Sequence, residues 1–217
     1  MAIQFVTTQV NCVLLTSQIV PGVINDPELL HTIGESPIQA IQMPDLAVSA
    51  FPSGIQINYL QVQPGRFAMS VAQVGEFDPS GKWQTVARRA CEVALQSQPA
   101  IGLGLNFLRS GTFDSGEARP TLHRLIDPAL TERLETEDIK LETAGIKLFY
   151  PWRGWRVTLS LEPDANDSNK VIANSNFHKD TSDAEAIRTA LATYNDAYDS
   201  FVAALDQVLR ENEYASS

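Results

Sequence analysis

The 217-residue chain predicts an α+β fold, a mostly antiparallel sheet covered on one face by two main helices with the longer one C-terminal. Three observations carry this. From Ser182 to Asn212 the apolar residues Ile187, Leu191, Tyr194, Tyr198, Phe201, Leu205 and Val208 recur at spacings of four and three, which stacks them on one helix face. Two stretches alternate apolar and polar residues on either side of a turn, as antiparallel hairpins do: residues 55–71 and residues 146–161. Between these segments strand patterns follow one another with few helical ones, which argues against an alternating parallel α/β order.

In chain order, Ile3 to Leu15 is rich in Val, Ile, Thr and Phe and reads as a strand. Asp26-Pro27 opens a short helix, because Asp caps while Pro occupies the first turn, and Gly34 can end it. The same Asp-Pro start recurs at Asp78-Pro79 and Asp127-Pro128. Prolines 37, 44 and 52 cut the next stretch into extended pieces, with Ile38 to Met43 as a short edge strand. Ile55, Ile57 and Tyr59, a turn at Pro64-Gly65, then Phe67, Met69 and Val71 form the first hairpin. Trp83, Val86, Ala87, Ala90, Val93 and Ala94 mark a helix that stops before Pro99.

Ile101 to Leu108 is a strand whose Gly102 and Gly104 leave one face bare, suiting a bulge or a closely packed helix. Helical pieces at Thr121–Ile126 and Pro128–Glu135 and a strand at Asp138–Thr143 follow. The second hairpin pairs Ile146, Leu148 and Tyr150 with Trp155, Val157, Leu159 and Leu161, and Val171 to Phe177 is a last strand. Ser182 with Glu185 forms a capping box for the terminal helix. The whole reads as one domain, 1–217, with halves 1–110 and 111–217. Residues 55–71 parallel residues 146–159, which suggests a pseudo-twofold repeat of hairpin-plus-helix units.

Charge narrows the function. A net charge of −10 argues against nucleic-acid binding and against adhesion to anionic membranes by bulk electrostatics. No Lys or Arg precedes Arg66, and the first 65 residues hold only Asp26, Glu28, Glu35 and Asp45. Such a segment threads the core as strands or lies in a subunit interface. The apolar run Val10–Ile24 lacks a basic flank and breaks at Pro21-Gly22, so neither a leader nor a membrane span is expected, and the location expected is cytoplasmic. Cys12 and Cys91 stand far apart with no C-x-x-C partner and read as buried free thiols in a reducing compartment.

Catalytic signals are sparse. The histidines are His31, His123 and His178, and His178 with Asp180 offers two metal ligands, too few for a site, so no metal and no cofactor is expected. Gly102-Leu103-Gly104 lies within a strand and lacks the third glycine of a dinucleotide loop. The richest constellation is Phe149-Tyr150-Pro151-Trp152-Arg153-Gly154-Trp155-Arg156, where Trp152, Arg153 and Arg156 at a hairpin tip are the candidate binding residues and Trp155 belongs to the core.

The expected function is therefore a non-enzymatic protein–protein interaction or assembly subunit, oligomeric, meeting a protein partner or a second copy of itself. An enzyme drawing its site from distant residues would leave no local motif. A second reading is a small-ligand binder with a pocket between the C-terminal helix and a curved sheet, lined by Tyr59, Tyr150, Tyr194 and Tyr198. A third is an acidic inhibitor in which Asp196, Asp199 and Asp206 imitate a nucleic-acid backbone.

Overall fold

A computed structural model describes residues 3–16, 25–43, 46–60, 65–72, 81–97, 99–113, 118–123, 125, 129 and 144–210. The fold is α+β, with nine strands in one antiparallel sheet and five helices among these residues. The strands are β1 (Ile3–Thr16), β2 (Gln39–Gln42), β3 (Leu46–Ala50), β4 (Ile55–Leu60), β5 (Gly65–Ala72), β6 (Ala100–Phe113), β7 (Ile146–Trp152), β8 (Trp155–Pro163) and β9 (Lys170–Asp180). Helices are α1 (Pro27–Ile33), α2 (Lys82–Ser97), α3 (Ala118–His123), α4 (Ala184–Ala192) and α5 (Tyr194–Arg210). Across the sheet the strand order is β2-β3-β4-β5-β1-β6-β9-β8-β7, so β2 and β7 are its edges among the described residues.

The charge-free N-terminus becomes the middle of this sheet. β1 pairs with β5 on one side and with β6 on the other, and a strand bonded on both sides has little room for charged side chains. Between Thr7 and Gln9 its register against β6 shifts by one residue. That bulge lets Thr7 face the same way as Val10, Cys12 and Leu14, all four buried. Leu103, Leu105 and Phe107 of β6 and Ala173, Ser175 and Phe177 of β9 are buried with them.

Aromatic rings tie the C-terminal helix to the central strands. Phe107 lies 5.2 Å from Tyr194, 5.4 Å from Tyr198 and 6.2 Å from Phe201, measured between ring centroids. The Trp83 indole of α2 donates to the Tyr194 hydroxyl at 2.7 Å, and the Tyr198 hydroxyl shares a 2.7 Å hydrogen bond with Thr7 Oγ1. Of the seam residues, Ile187, Leu191, Tyr194, Tyr198, Phe201 and Leu205 are buried and Val208 is half-buried.

Several sequence expectations are corrected. The terminal helix is two helices, because Thr193 leaves helical geometry at φ −89°, ψ 12° and its hydroxyl donates to the Ala190 carbonyl at 2.8 Å. Its start is capped by Asp183, which accepts from Glu185 N at 2.9 Å, and not by Ser182. β3 was not anticipated between Pro44 and Pro52, yet it pairs with both β2 and β4. The division at 110 falls inside β6. Asp26 caps α1 and Gly34 closes it at φ 68°, as the sequence implies. Residues 121–123 belong to α3, whereas the rest of the helical pieces up to Glu135 (Leu125 and Ala129 apart), the strand at 138–143 and the Asp-Pro starts at 78 and 127 lie outside the described residues.

Candidate functional site

The two faces of the central strands differ in chemistry. Opposite the aromatic cluster, the alternate residues Gln9, Asn11, Val13 and Leu15 of β1, Gly104, Asn106 and Leu108 of β6, and Asn174, Asn176 and His178 of β9 line a groove of about 540 Å³. Strand register makes a row of it: Asn11 stands opposite Asn106, Asn106 opposite Asn176, Asn176 opposite Thr158 of β8, and Thr158 opposite Phe149 of β7. Directly opposed residues project on the same side of a sheet. The amides bond in series, Asn176 donating to Asn106 and Asn106 donating to Asn11 at 3.2 Å. Gly104 keeps the floor low, and a methyl group there would meet Val13 Cβ at 3.7 Å.

A second groove of about 520 Å³ continues from His178 to the β7 edge, lined by Phe149, Tyr150, Pro151, Arg156, Val157 and Thr158. The Phe149 ring is 72% exposed, with Lys147 Nζ 5.5 Å from its centroid. Between the grooves His178 Nε2 lies 2.7 Å from Asp180 Oδ1, and Arg156 donates to Asp180 Oδ2 at 2.6 Å. The His178 hydrogen bond, and behind it the Arg156 charge, holds the Asp180 carboxyl below its ordinary range. Whatever this exposed carboxylate adds is therefore complete above the ordinary Asp range and lost only as pH falls through the lower, folded value. In an NMR titration Asp180 is expected to protonate below the ordinary aspartate range, and H178A to move it back up. An ordinary value in the unmodified protein would contradict the geometry.

The hairpin-tip candidates are divided between the two faces. Trp152 packs edge-on against Phe177 at 5.4 Å on the core side, with Arg153 stacked 5.0 Å over its ring and ion-paired to Asp196 of α5. Arg153 at φ 45° and Gly154 at φ 79° make the two-residue turn. Arg156 stands opposite Pro151 and belongs to the groove face. Trp155 is in the core.

Of the four tyrosines, two are placed in the core. Tyr194 and Tyr198 are core residues with bonded hydroxyls, and burial pushes the Tyr194 phenol well above its usual value. Tyr150 is half-buried, burial raises its phenol, and its hydroxyl has no hydrogen-bond partner among the described residues. Tyr59 is placed in β4, and its side chain lies outside the described residues.

Cys12 and Cys91 are brought together, with both thiols buried and free and their sulfurs 3.6 Å apart; that contact, then burial, raises the Cys12 thiol. His31 is exposed on α1, whereas His123 has a buried Nε2 without a partner among the described residues. No three His, Cys, Asp or Glu side chains gather as metal ligands among the described residues. No helix among them is long and apolar enough to cross a membrane. Asparagines 11, 106, 174 and 176 were not singled out from sequence, although Gln9/Asn11 and Asn174/Asn176/His178 already show polar residues at every second position of otherwise apolar strands. Compared with known proteins, the chain matches no family model and no curated protein.

Proposed function

We propose that this is a non-enzymatic assembly protein that associates through the edges of its sheet, with a second copy of itself as the first partner. The observation that carries this is where the exposed large hydrophobics fall. Four of the six among the described residues fall at the edges: Ile38 at 73% exposure and Met43 flank edge strand β2, and Leu148 and Phe149 lie on edge strand β7, while the other two, Val6 and Ile101, are on the central strands β1 and β6. A sheet edge presents unpaired N–H and C=O groups, and apolar side chains there favour strand addition. β7 is the longer edge, with seven residues against four.

Three finer features belong to the same reading. The ring contacts of α5 on β6 and the burial of Trp83, Val86, Ala90 and Val93 support α2 and α5 as the cover of one sheet face. The strand order supports a pseudo-twofold repeat with altered pairing: β1 matches β6 and the β4–β5 hairpin matches β8–β9, instead of matching β7–β8. Free, buried thiols support a reducing, cytoplasmic setting. The net charge of −10 continues to argue against nucleic acid as partner, and the pairing of Asp196 with Arg153 weakens the acidic stripe that mimicry would need.

Light scattering on the full chain over a dilution series tests the association. A dimer or larger species is expected when concentrated, and L148K with F149K is expected to leave a monomer with unchanged circular dichroism. A monomer at every concentration, or an oligomer indifferent to both lysines and to I38K, would overturn the reading.

A further inference from the structure

Edge association leaves the amide-lined groove unused, and its chemistry selects a ligand. Five carboxamides face it, Gln9, Asn11, Asn106, Asn174 and Asn176, beside the aliphatic Val13, Leu15 and Leu108. A carboxamide donates and accepts hydrogen bonds at once, as a hydroxyl does. Gln9 and Asn174 make no side-chain hydrogen bond among the described residues, and the series through Asn176, Asn106 and Asn11 leaves an Asn11 amide hydrogen and lone pairs to offer.

Charged ligands fit less well. The lining of this groove contains no Lys or Arg; toward Phe149 the two cations are already engaged, Arg156 by Asp180, which also accepts from His178, and Lys147 against the Phe149 ring. The net charge of −10 repels anions at long range. At the far end of the row, on the same face, Phe149 presents an exposed ring. From β1 to β7 the row crosses four strand spacings, about 19 Å, room for several sugar rings.

We infer that this face binds a neutral oligosaccharide, with one sugar's C–H face on the Phe149 ring and hydroxyls on the amide row. The apolar face and hydroxyl edge of a pyranose are the two surfaces that an aromatic ring and a carboxamide row complement. The amide row stands apart from edge association, since its floor is formed by the three central strands β1, β6 and β9, whereas Phe149 serves both.

Native electrophoresis of the full chain through gels cast with soluble glucomannan, xyloglucan, dextran or starch tests the proposal. At least one of these neutral polymers is expected to retard the protein. N174A, in the groove and away from the edges, and F149A are each expected to weaken retardation about tenfold; both residues are exposed, so the fold is kept. No retardation by any of the four, retardation only by anionic alginate, or retardation that survives in the F149A/N174A double variant would overturn it. Because N174A leaves both sheet edges intact, loss of sugar binding with the oligomer unchanged separates this site from the association.

Discussion

Replacing Phe107 by alanine is expected to destabilise the protein by about 3–5 kcal/mol, the range for deleting a fully buried ring. Phe107 is fully buried on β6, and its ring meets four others: Phe177 at 5.8 Å and Tyr194 at 5.2 Å edge-on, Tyr198 at 5.4 Å edge-on, and Phe201 stacked at 6.2 Å. The magnitude of such a loss depends on whether the surroundings can collapse into the space. Here they are held apart. Phe177 belongs to β9, and the hydroxyls of Tyr194 and Tyr198 are tied to Trp83 and Thr7. Moving either tyrosine inward would break a buried hydrogen bond, adding about 1–3 kcal/mol for the group left unpaired. Urea unfolding should show a lower midpoint at unchanged slope, and F107L should recover more than half of the loss. A loss of under about 1 kcal/mol for F107A would mean that the cluster repacks freely, against the cavity rule.

The same cluster shows which parts of the fold are legible in sequence. The seam from Ile187 to Leu205 is written at spacings of three and four, so its burial follows from helix period alone. The interruption at Thr193 is not written there, because it arises from one hydroxyl bonding a carbonyl three residues back. Both hairpins were legible because their partners are adjacent in the chain and alternate with period two. β3, Leu46–Ala50, was hidden by flanking prolines and small residues, and becomes a strand through its neighbours on both sides.

The groove was hidden for a related reason. Asn11, Asn106 and Asn176 are separated by 95 and 70 residues, and only the register of β1 on β6 and of β6 on β9 brings them into one row. Alternation along each strand could have flagged the polar face, but not which strands are neighbours. Alternation also separates Arg156 from Trp155, so the hairpin tip was never one constellation: its tryptophans serve the core and Arg156 serves the groove.

Gly111 carries the other large expected effect. It stands directly opposite Phe5 of β1, and a Cβ at Gly111 would lie 2.6 Å from Phe5 Cε1, 2.8 Å from Cζ and 2.9 Å from Ile3 Cγ2. The glycine therefore acts as the seat of the Phe5 ring, whose other contacts include the Arg109 guanidinium 5.4 Å from its centroid. G111V should cost about 1–3 kcal/mol through overpacking, because the ring must leave its seat and give up the Arg109 contact. A double-mutant cycle isolates the cause. F5A alone loses the ring's packing, and in the F5A background G111V should cost almost nothing or stabilise, since valine then fills the vacated seat and suits a strand better than glycine. Equal costs of G111V with and without Phe5 would show that the steric contact is not what demands glycine at this position.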